Sequence, residues 1–220
     1  MENIASVLFN TVFIQLWWFI PLFILVALLK FFKPYLKGKF GEFAVSLHVK
    51  KYLNESYILL NDCTLPDDLI GTTQIDHILL SPYGIFVIET KNYKGWIFGQ
   101  VHKKKWTQQI YKNRYKFQNP LHQNYKHVQV MSTILEDLVD PNSIHSVVVF
   151  MPDCEFKTPM PENVFKGVAW IDYVKQFKTE VIPTRRLKRI QLRLEKEALE
   201  KSWKTQKIHL NNLKKKNDIN

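Results

Sequence analysis

The sequence predicts an α/β domain that lies between a hydrophobic N-terminal segment and a basic C-terminal helix. A charge-free apolar run opens the 220-residue chain, and most of the excess positive charge behind its net +11 lies near the other end. Between these two segments the hydrophobic pattern follows the order helix, three or more strands, helix and strand, which is typical of an α/β fold. We therefore place domain boundaries at 1–36, 37–180 and 181–220.

The N-terminal segment has the length and composition of a membrane-spanning helix. No charged residue occurs between Glu2 and Lys30, a stretch of 27 positions, and about 20 apolar residues suffice to cross a bilayer. The start lacks the positive charge and the small-residue cleavage site of a signal peptide. We expect an uncleaved anchor within residues 7–29, and the alternative is a buried hydrophobic helix of a soluble fold.

Basic residues follow this segment directly, at Lys30, Lys33, Lys37 and Lys39. Positive charge beside a membrane helix is retained on the cytoplasmic side. The protein is therefore expected in the membrane as a single-pass chain, with its N-terminus outside and its main domain in the cytoplasm.

A helix is predicted at 38–53, because apolar residues recur there with helical spacing. The positions on the expected apolar face are Phe40, Phe43, Ala44 and Leu47. Glu42 falls on a second face with Val45 and Val49, which turns a carboxylate partly inward, where it needs a partner.

A central hairpin is predicted from two apolar runs, at 74–80 and 85–91, that are separated by the turn sequence SPYG at 81–84. The hairpin residues are apolar on both faces, so we expect it at the centre of a sheet that is covered on both sides. A shorter apolar run at 57–61 predicts a preceding strand.

The elements after the hairpin complete the predicted domain. They are strands at 94–101 and 105–110 that extend the sheet, a helix at 120–138, strands at 144–151 and 168–171, and a basic helix at 185–216. Asn119 and Pro120 supply the cap and the first turn of the middle helix. One stripe of that helix consists of Gln123, His127, Val130 and Ile134.

The C-terminal segment is a polycation. Twelve Lys and Arg residues stand against three Glu residues between Arg185 and Lys216, which gives a local net charge of +9. Such a segment binds nucleic acid or anionic lipid, and the alternative is a solvated charged helix.

Several function classes lack their sequence motifs. The two cysteines, Cys63 and Cys154, do not have the ligand spacing of a structural zinc site. The chain also has no Walker loop, no G-x-S-x-G and no HExxH motif, so these phosphate-binding, acyl-transfer and zinc-peptidase chemistries are not indicated.

The hairpin itself carries the most informative polar residues. If Ser81 pairs with Gly84, the numbers of cross-strand partners sum to 165, and Asp76 then lies opposite Glu89. Directly opposed residues have Cβ atoms about 4.5–5.5 Å apart. Lys91 is two residues beyond Glu89 and therefore lies on the same face.

Two opposed carboxylates in a buried sheet repel each other and lose solvation, whereas a divalent cation relieves both costs. With a lysine beside them, they suit metal-assisted hydrolysis of a phosphodiester. The alternative is a buried salt-bridge cluster without a ligand. Without metal, Asp76→Asn and Glu89→Gln are each expected to be at least as stable as the parent, because a like-charge pair is broken.

Three separated segments resemble the nuclease-related domain family, often called NERD, of the PD-(D/E)xK nuclease superfamily. They are GKFGE at 38–42, QIDHILLSPYGIFVIETKNYKGWIFG at 74–99 and NPLHQNYKH at 119–127. The resemblance covers about residues 37–150. It implies a restriction-endonuclease-like core, in which helices flank a central mixed sheet, together with DNA processing and dependence on Mg²⁺ or Mn²⁺.

The resemblance also implies roles for the hairpin residues. Asp76 and Glu89 match the acidic metal ligands, and the backbone carbonyl of Thr90 matches the third ligand. Lys91 matches the lysine that orients the attacking water or stabilises charge.

Two helical residues complete the implied site, and three histidines raise a rival metal hypothesis. Glu42 matches a glutamate that supports the site from the first helix, and Gln123 matches a glutamine near the scissile phosphate. His77 neighbours Asp76 in sequence but points to the other face of its strand. His122 is a further candidate ligand, and His127, one turn after Gln123, could hydrogen-bond at the rim of the site.

A basic stretch precedes the middle helix. Its members are Lys103, Lys104, Lys105, Lys112, Arg114 and Lys116, with Trp106, Tyr111 and Tyr115 between them. Cationic side chains contact phosphates and aromatic rings stack on bases, so this stretch is a candidate nucleic-acid surface. The alternative is an exposed charged edge strand, which protects a sheet against aggregation.

The residues and the resemblance together predict a membrane-anchored, divalent-metal-dependent nuclease that hydrolyses phosphodiester bonds, with DNA as the expected substrate. The alternative is a non-catalytic, membrane-tethered nucleic-acid-binding or scaffolding module with the same fold. The intact set of two acids and one lysine favours the enzyme.

Overall fold

The computed structural model describes Trp17, residues 19–67 and residues 71–199 of the chain. The chain divides into two compact units, residues 1–40 and 41–220. The second unit contains the predicted site.

The described residues form a mixed α/β structure. Its helices are α1 (Phe19–Tyr52), α2 (Pro120–Ile134), α3 (Trp170–Gln176) and α4 (Thr184–Glu197), with a short 3-10 helix at Pro141–Ser143. Its strands are β1 (Ile58–Asp67), β2 (Gly71–Ser81), β3 (Gly84–Lys91), β4 (Gly95–Phe98), β5 (Lys105–Ile110), β6 (Asn113–Gln118), β7 (Ile144–Phe150), β8 (Cys154–Phe156) and β9 (Val164–Lys166).

The larger sheet has five strands in the order β1-β2-β3-β7-β9. The pairs β1–β2 and β2–β3 are antiparallel, whereas β3–β7 and β7–β9 are parallel. The hairpin prediction is confirmed, with Ser81 opposite Gly84 and the same register continuing to His77 opposite Ile88. β3 is therefore a central strand that pairs on both edges.

Helices cover both faces of this sheet, as the apolar pattern of the hairpin predicts. On one face, Ile78 and Val87 pack in a cluster that includes Met131 of α2 and Leu187 of α4. On the other face, Phe86 and its neighbours pack in a cluster with residues of α1 and α3. Burial on both sides explains why β2 and β3 are rich in branched apolar residues.

The prediction that strands at 94–101 and 105–110 extend this sheet is wrong. β4 and β5 form a second sheet in the order β6-β5-β4-β8. Both edges of β3 are already occupied, by β2 and β7, so the chain that leaves β3 has no free edge to join. The two sheets instead share a cluster in which Ile97 of β4 and Trp106 of β5 pack with Phe150 of β7.

The apolar face predicted for the first helix is also wrong. Phe40, Phe43 and Leu47 are 68%, 59% and 47% exposed, whereas Val45 is fully buried and Val49 is 8% exposed. The valines pack in the α1–α3 cluster, so the face that also carries Glu42 is the one that meets the sheet. The pattern contained two apolar stripes, and the more aromatic one faces solvent.

Several element assignments differ from the prediction. Residues 168–171 were predicted as a strand, but Trp170 begins α3, whose buried residues Trp170, Ile171 and Val174 follow helical spacing. The helix predicted at 120–138 ends at Ile134. The basic helix begins at Thr184 and ends at Glu197, and the predicted remainder beyond residue 199 lies outside the described residues.

The predicted membrane segment lies only partly within the described residues. Among those residues, no single helix is both long enough and apolar enough to cross a membrane. Two helical stretches, Phe19–Lys33 and Tyr35–Tyr52, satisfy these criteria of length and composition together, with a bend between them.

Candidate active site

The candidate site lies where β2 separates from β3. The β2–β3 ladder ends at His77 opposite Ile88, and Asp76 and Glu89 are the next positions in its register. The backbone amide of Thr90 instead donates to Oδ2 of Asp76, at 2.8 Å. The Asp76 side chain thus accepts a bond that a strand backbone would otherwise make, and the carboxylates face the same gap in the sheet.

The strand on the other side of β2 is irregular at the same level. In the β1–β2 ladder, the pairs on either side of Asp76 are regular, but Asp62, the residue opposite Asp76, has a positive φ of 59° and is skipped. The Gln74 side chain donates to the carboxylate of Asp62. Irregular pairing of this kind frees a strand residue for function, and it often occurs next to active sites.

Lys91 joins the two elements that contribute most to the site. Its Nζ lies 2.5 Å from Oε1 of Glu89 on the same strand and 3.0 Å from Oε1 of Gln123 on α2. Glu89 is only 2% exposed. The structure therefore brings together Glu89, Lys91 and Gln123, as the sequence predicts.

Asn124 sets the rotation of α2 that makes this contact possible. Its side-chain amide is fully buried and donates to the backbone carbonyls of Val87 in β3, at 2.8 Å, and Val147 in β7, at 3.1 Å. With Asn124 fixed against the sheet, Gln123 and His127 lie beside the end of β3. The buried positions of α2 are Pro120, Asn124, His127 and Met131, so the predicted stripe shares only His127 with them, and its members Val130 and Ile134 pack partly buried against the core.

His127 lies deeper in the site than the predicted rim position. It is 5% exposed, and its Nδ1 lies 2.9 Å from Oγ1 of Thr73. Its Nε2 lies 3.3 Å from Oε2 of Glu89, within ion-pair distance but without the geometry of a hydrogen bond. Both of these facing atoms are buried and have no hydrogen-bond partner. His127 therefore packs directly against the Glu89 carboxylate.

The contacts of the other two histidines do not involve Asp76 or Glu89. The Nδ1 atom of His77 lies 2.7 Å from Oδ1 of Asn61 in β1. The Nε2 atom of His122 lies 2.9 Å from the carbonyl oxygen of Val101. Each ring is occupied by a structural contact, so these contacts do not support the rival histidine-based metal site.

The two carboxyl groups differ in their electrostatic state. Burial, and then the charge of Glu89, raise the pKa of Asp76 well above its usual value, against the opposing effects of the Thr90 amide and Lys91. Burial also acts to raise the pKa of Glu89, but Lys91 and His127 together lower it below its usual value. The predicted repulsion between the two carboxylates therefore raises the pKa of Asp76 alone.

Lys91 is held in its charged form. Burial acts to lower the pKa of its ammonium group, but the adjacent Glu89 carboxylate outweighs burial and raises this pKa. A lysine in this state donates hydrogen bonds and positive charge, and it does not accept a proton.

Two further residues approach the site. Glu42 of α1 is half-buried, and its charge contributes to the raised pKa of Asp76, which places it within electrostatic range. Sequence reasoning missed Tyr93, whose pKa is raised by burial and further influenced by Lys91 and Glu89. The alternation of Glu89 and Lys91 on β3, continued to Tyr93 two residues beyond the end of the strand, could have indicated it.

The oxygen atoms available to a cation are those of Asp76, Glu89 and the Thr90 carbonyl. In the described part of the chain, no group of three or more His, Cys, Asp and Glu side chains is arranged to hold a metal ion. The predicted ligand set contains only two such side chains, and its third member is a backbone oxygen. The buried Oε2 of Glu89 lacks a hydrogen-bond partner, so these residues fit a hard, oxygen-binding cation.

The basic stretch divides between a strand face and loops. Lys105, Arg114 and Lys116 lie on strands β5 and β6, whereas Lys103, Lys104 and Lys112 lie in the connecting segments. All six are exposed. Trp106 is 1% exposed and belongs to the core, so its predicted role in base stacking is wrong, whereas Tyr111 and Tyr115 are 92% and 53% exposed. β6 is an edge strand, so the alternative role in edge protection stays open.

Comparisons with known proteins agree with this arrangement. A related protein from Bacillus anthracis, described as an uncharacterized protein, is 41% identical over 124 residues. The matched residues cover 56% of this chain and 57% of the relative. The chain thus spans little more than half the length of that relative. No solved structure matches the chain significantly. Residues 37–151, just over half of the chain, match the sequence model of the nuclease-related domain. The chain therefore belongs to the nuclease-related domain family, whose name indicates a nuclease-like function.

Proposed function

We propose that this protein is a divalent-metal-dependent nuclease that hydrolyses phosphodiester bonds in DNA. The observation that carries the proposal is the meeting of Asp76, Glu89 and Lys91 at the point where β2 and β3 part. The elements that form and cover the larger sheet follow the order α1-β1-β2-β3-α2-β7, with β4, β5 and β6 inserted between β3 and α2. This order, with β3 and β7 parallel, supports a restriction-endonuclease-like core.

Asp76, Glu89 and the carbonyl of Thr90 would hold Mg²⁺ or Mn²⁺. The amide and carbonyl of one strand residue point towards the same neighbouring strand. Because the Thr90 amide bonds to Asp76, the Thr90 carbonyl is directed to the Asp76 side of β3. When bound, such a cation polarises the phosphoryl group and makes its bound water a stronger nucleophile.

The remaining groups position and stabilise charge. The Lys91 ammonium group is suited to contact a non-bridging phosphate oxygen, where negative charge increases in the transition state. Gln123 holds Lys91 from α2 at 3.0 Å. His127 packs against the Glu89 carboxylate, and the charge of Glu42 on α1 acts on Asp76.

Cleavage of labelled DNA by the full-length chain, in Mg²⁺, Mn²⁺ or EDTA, tests this proposal. Asp76→Asn, Glu89→Gln and Lys91→Ala should each abolish cleavage, because each removes a ligand or the charge that faces the phosphate. Glu136→Gln is the matched control, since Glu136 is an exposed carboxylate outside the site. An Asp76→Asn variant that cuts at the parental rate, or cleavage that persists in EDTA, would overturn the proposal.

We also propose that the N-terminal segment anchors the protein in a membrane and leaves residues 41–220 in the cytoplasm. The support is the 27-position charge-free stretch between Glu2 and Lys30, together with the lysines that follow it. The basic C-terminal segment would then lie on the side where anionic lipid and nucleic acid are both available.

A further inference from the structure

The second sheet presents an aromatic face to solvent. Successive residues of a strand point to opposite faces. Ile97 of β4 is fully buried in the cluster with Trp106 and Phe150, so Trp96 and Phe98 lie on the opposite, outward face. Trp96 is 45% exposed. A large aromatic side chain exposed in the middle of a sheet is not required for packing the core.

Each of these two rings has a cation beside it. The Nζ atom of Lys157 lies 4.8 Å from the centroid of the Trp96 ring, and it also donates to Oε1 of Glu155 at 2.5 Å. The guanidinium carbon of Arg114 lies 5.8 Å from the centroid of the Phe98 ring. Aromatic rings that stack on bases, combined with cations that contact the backbone, are the components of single-stranded nucleic-acid binding surfaces.

A cavity of about 470 Å³ adjoins this face and has Trp96, Lys94 and Tyr111 in its wall. Tyr111 is 92% exposed and has a φ of 53°, a conformation that non-glycine residues rarely adopt. The conformation holds a large ring in solvent at the β5–β6 turn, where it packs against little of the protein. The cavity thus offers two aromatic rings and an ammonium group, beside the carboxylate of Asp153, to a flat ligand such as a nucleotide.

The cavity is close to the candidate active site along the chain. Lys91 ends β3, and Lys94 is three residues later, immediately before β4. Three residues span at most about 11 Å even when fully extended. A nucleic-acid strand with its phosphate at Lys91 can therefore reach Lys94 within a few nucleotides.

We propose that the outward face of the second sheet, around Trp96 and Phe98, binds the unpaired bases of the nucleic-acid strand held at the active site. The substrate is accordingly single-stranded DNA, or DNA with a single-stranded portion. The identity of this substrate rests on the nuclease function proposed above, whereas the binding surface can be tested separately.

The test is the affinity of the full-length chain for a dye-labelled single strand and for the duplex of the same sequence, measured by fluorescence anisotropy in EDTA. Trp96→Leu should weaken binding of the single strand about tenfold, the effect of losing one base stack, and change binding of the duplex less than about twofold. Phe98→Leu should act in the same direction. Tyr125→Leu, which removes an exposed aromatic ring from α2, is the control and should leave both affinities unchanged.

A second variant, Lys157→Gln, tests the same surface without removing an aromatic ring. Its result therefore does not depend on whether the aromatic variants fold. This exposed cation should contribute to affinity and salt dependence, so the variant should bind the single strand more weakly and with a shallower dependence on salt. Unchanged single-strand affinity in folded Trp96→Leu and Lys157→Gln, equal losses for single strand and duplex, or no single-strand binding by the parent would each overturn the inference. The last result would favour a protein partner at this face.

The two proposals fail in different ways. If Asp76→Asn abolishes cleavage and Trp96→Leu leaves single-strand binding intact, the nuclease stands and this substrate surface does not. If Trp96→Leu weakens single-strand binding but Asp76→Asn still cuts DNA, the binding surface stands and the active-site assignment does not. If both proposals are correct, Trp96→Leu raises KM for a single-stranded substrate and leaves kcat close to that of the parent.

Discussion

At the scale of single residues, the main feature of the site is that the pKa values of Asp76 and Glu89 shift in opposite directions. Their positions in the register are equivalent, yet the pKa of Asp76 is raised and that of Glu89 is lowered. The cause is the unequal supply of cations, because Lys91 contacts Glu89 at 2.5 Å and His127 lies on its other side. Glu89 therefore meets a cation as an anion, whereas at pH values below the raised pKa of Asp76 a bound cation must displace a proton from that carboxyl group.

This difference predicts how stability depends on pH. Between its usual pKa of 3.8 and its raised folded value, Asp76 holds a proton in the native state that it has lost in the unfolded state. The stability that depends on this proton is therefore lost as pH rises through that window. Asp76→Asn removes this dependence. Its gain in unfolding free energy over the parent, measured by urea denaturation in EDTA, should be small near pH 4 and increase towards pH 8.

Glu89→Gln is the matched comparison, and it should behave in the opposite way. The sequence predicts that both neutral variants are at least as stable as the parent, but Glu89 is paired with Lys91 and its pKa is lowered. Removing its charge should cost on the order of 1–3 kcal/mol at pH 7, the value of a hydrogen bond to a charged group. Equal effects of the two substitutions at pH 7 would contradict the electrostatic asymmetry.

Lys91→Ala should separate catalysis from metal binding. The substitution removes the ammonium group but none of the expected ligand oxygens, so Mg²⁺ should still raise the Tm through binding to the native state. Without metal, the variant should be destabilised by about 3 kcal/mol, because Glu89 loses its buried partner. The Mg²⁺-dependent rise in Tm should therefore exceed that of the parent while cleavage is lost.

Thermal unfolding with and without Mg²⁺ measures this response. Lys126→Ala, at an exposed position of α2, is the control and should match the parent in both conditions. A complete loss of the Mg²⁺ response in Lys91→Ala would mean that Lys91 holds the ligands in place, and that its role is not confined to charge stabilisation.

The site was partly predictable at this scale, for a definite reason. The turn at 81–84 fixes the hairpin register, which places Asp76 and Glu89 just beyond the last paired residues, and the Thr90 amide bond to Asp76 and the Lys91 bond to Glu89 complete the arrangement. The pKa directions were not predictable, because they depend on His127, which reaches Glu89 from α2. The orientation of a helix on a sheet is a tertiary property that the hairpin sequence does not contain.

At the scale of elements, α2 is positioned by one buried amide. Asn124 donates to the carbonyls of Val87 and Val147, which belong to two neighbouring strands. Asn124→Leu has a similar volume but leaves both carbonyls without this donor. We expect a loss of about 2–3 kcal/mol in unfolding free energy. Gln129→Leu, at an exposed position of the same helix, should change it by less than about 0.5 kcal/mol.

Chemical denaturation of both variants tests the role of Asn124. Because Gln123 and His127 follow the rotation of α2, Asn124→Leu should also reduce cleavage under conditions where the variant is folded. Equal stability of the Asn124→Leu and Gln129→Leu variants would show that α2 is positioned by its apolar contacts alone.

The predictions for helices and strands are wrong where one sequence pattern is compatible with two ways of packing. The first helix has an aromatic stripe and a valine stripe, and only the packed structure shows that Val45 and Val49 meet the sheet. The strands after Lys91 were assigned correctly as strands but to the wrong sheet, because the pairing of β3 with β7 depends on residues more than fifty positions away along the chain. Local periodicity describes an element and does not determine its neighbours.

At the scale of the whole molecule, the proposed topology predicts protection from outside the cell. A protease added to intact cells that produce the full chain should leave residues 41–220 uncut, because the lysines after Lys30 retain this part in the cytoplasm. The same protease should digest this part after lysis. Immunoblotting with an antibody against the domain measures both results.

A Met1–Phe40 deletion provides the comparison for location, since this unit contains the proposed anchor. The full chain should sediment with membranes and resist extraction by high salt, and the deletion variant should lose this behaviour. Digestion of intact cells from outside, or recovery of the full chain in the soluble fraction, would contradict the topology.

The pairing of β3 on both of its edges has a consequence for how the protein loses activity. Strand ends and edge strands open in local fluctuations, whereas a central strand exchanges its amide hydrogens only when most of the structure unfolds. Glu89 lies on this strand, one residue beyond the last pair with β2, and it remains paired with Val148 of β7. Heat or denaturant should therefore not disrupt this part of the site before the whole structure unfolds. Loss of activity should coincide with global unfolding.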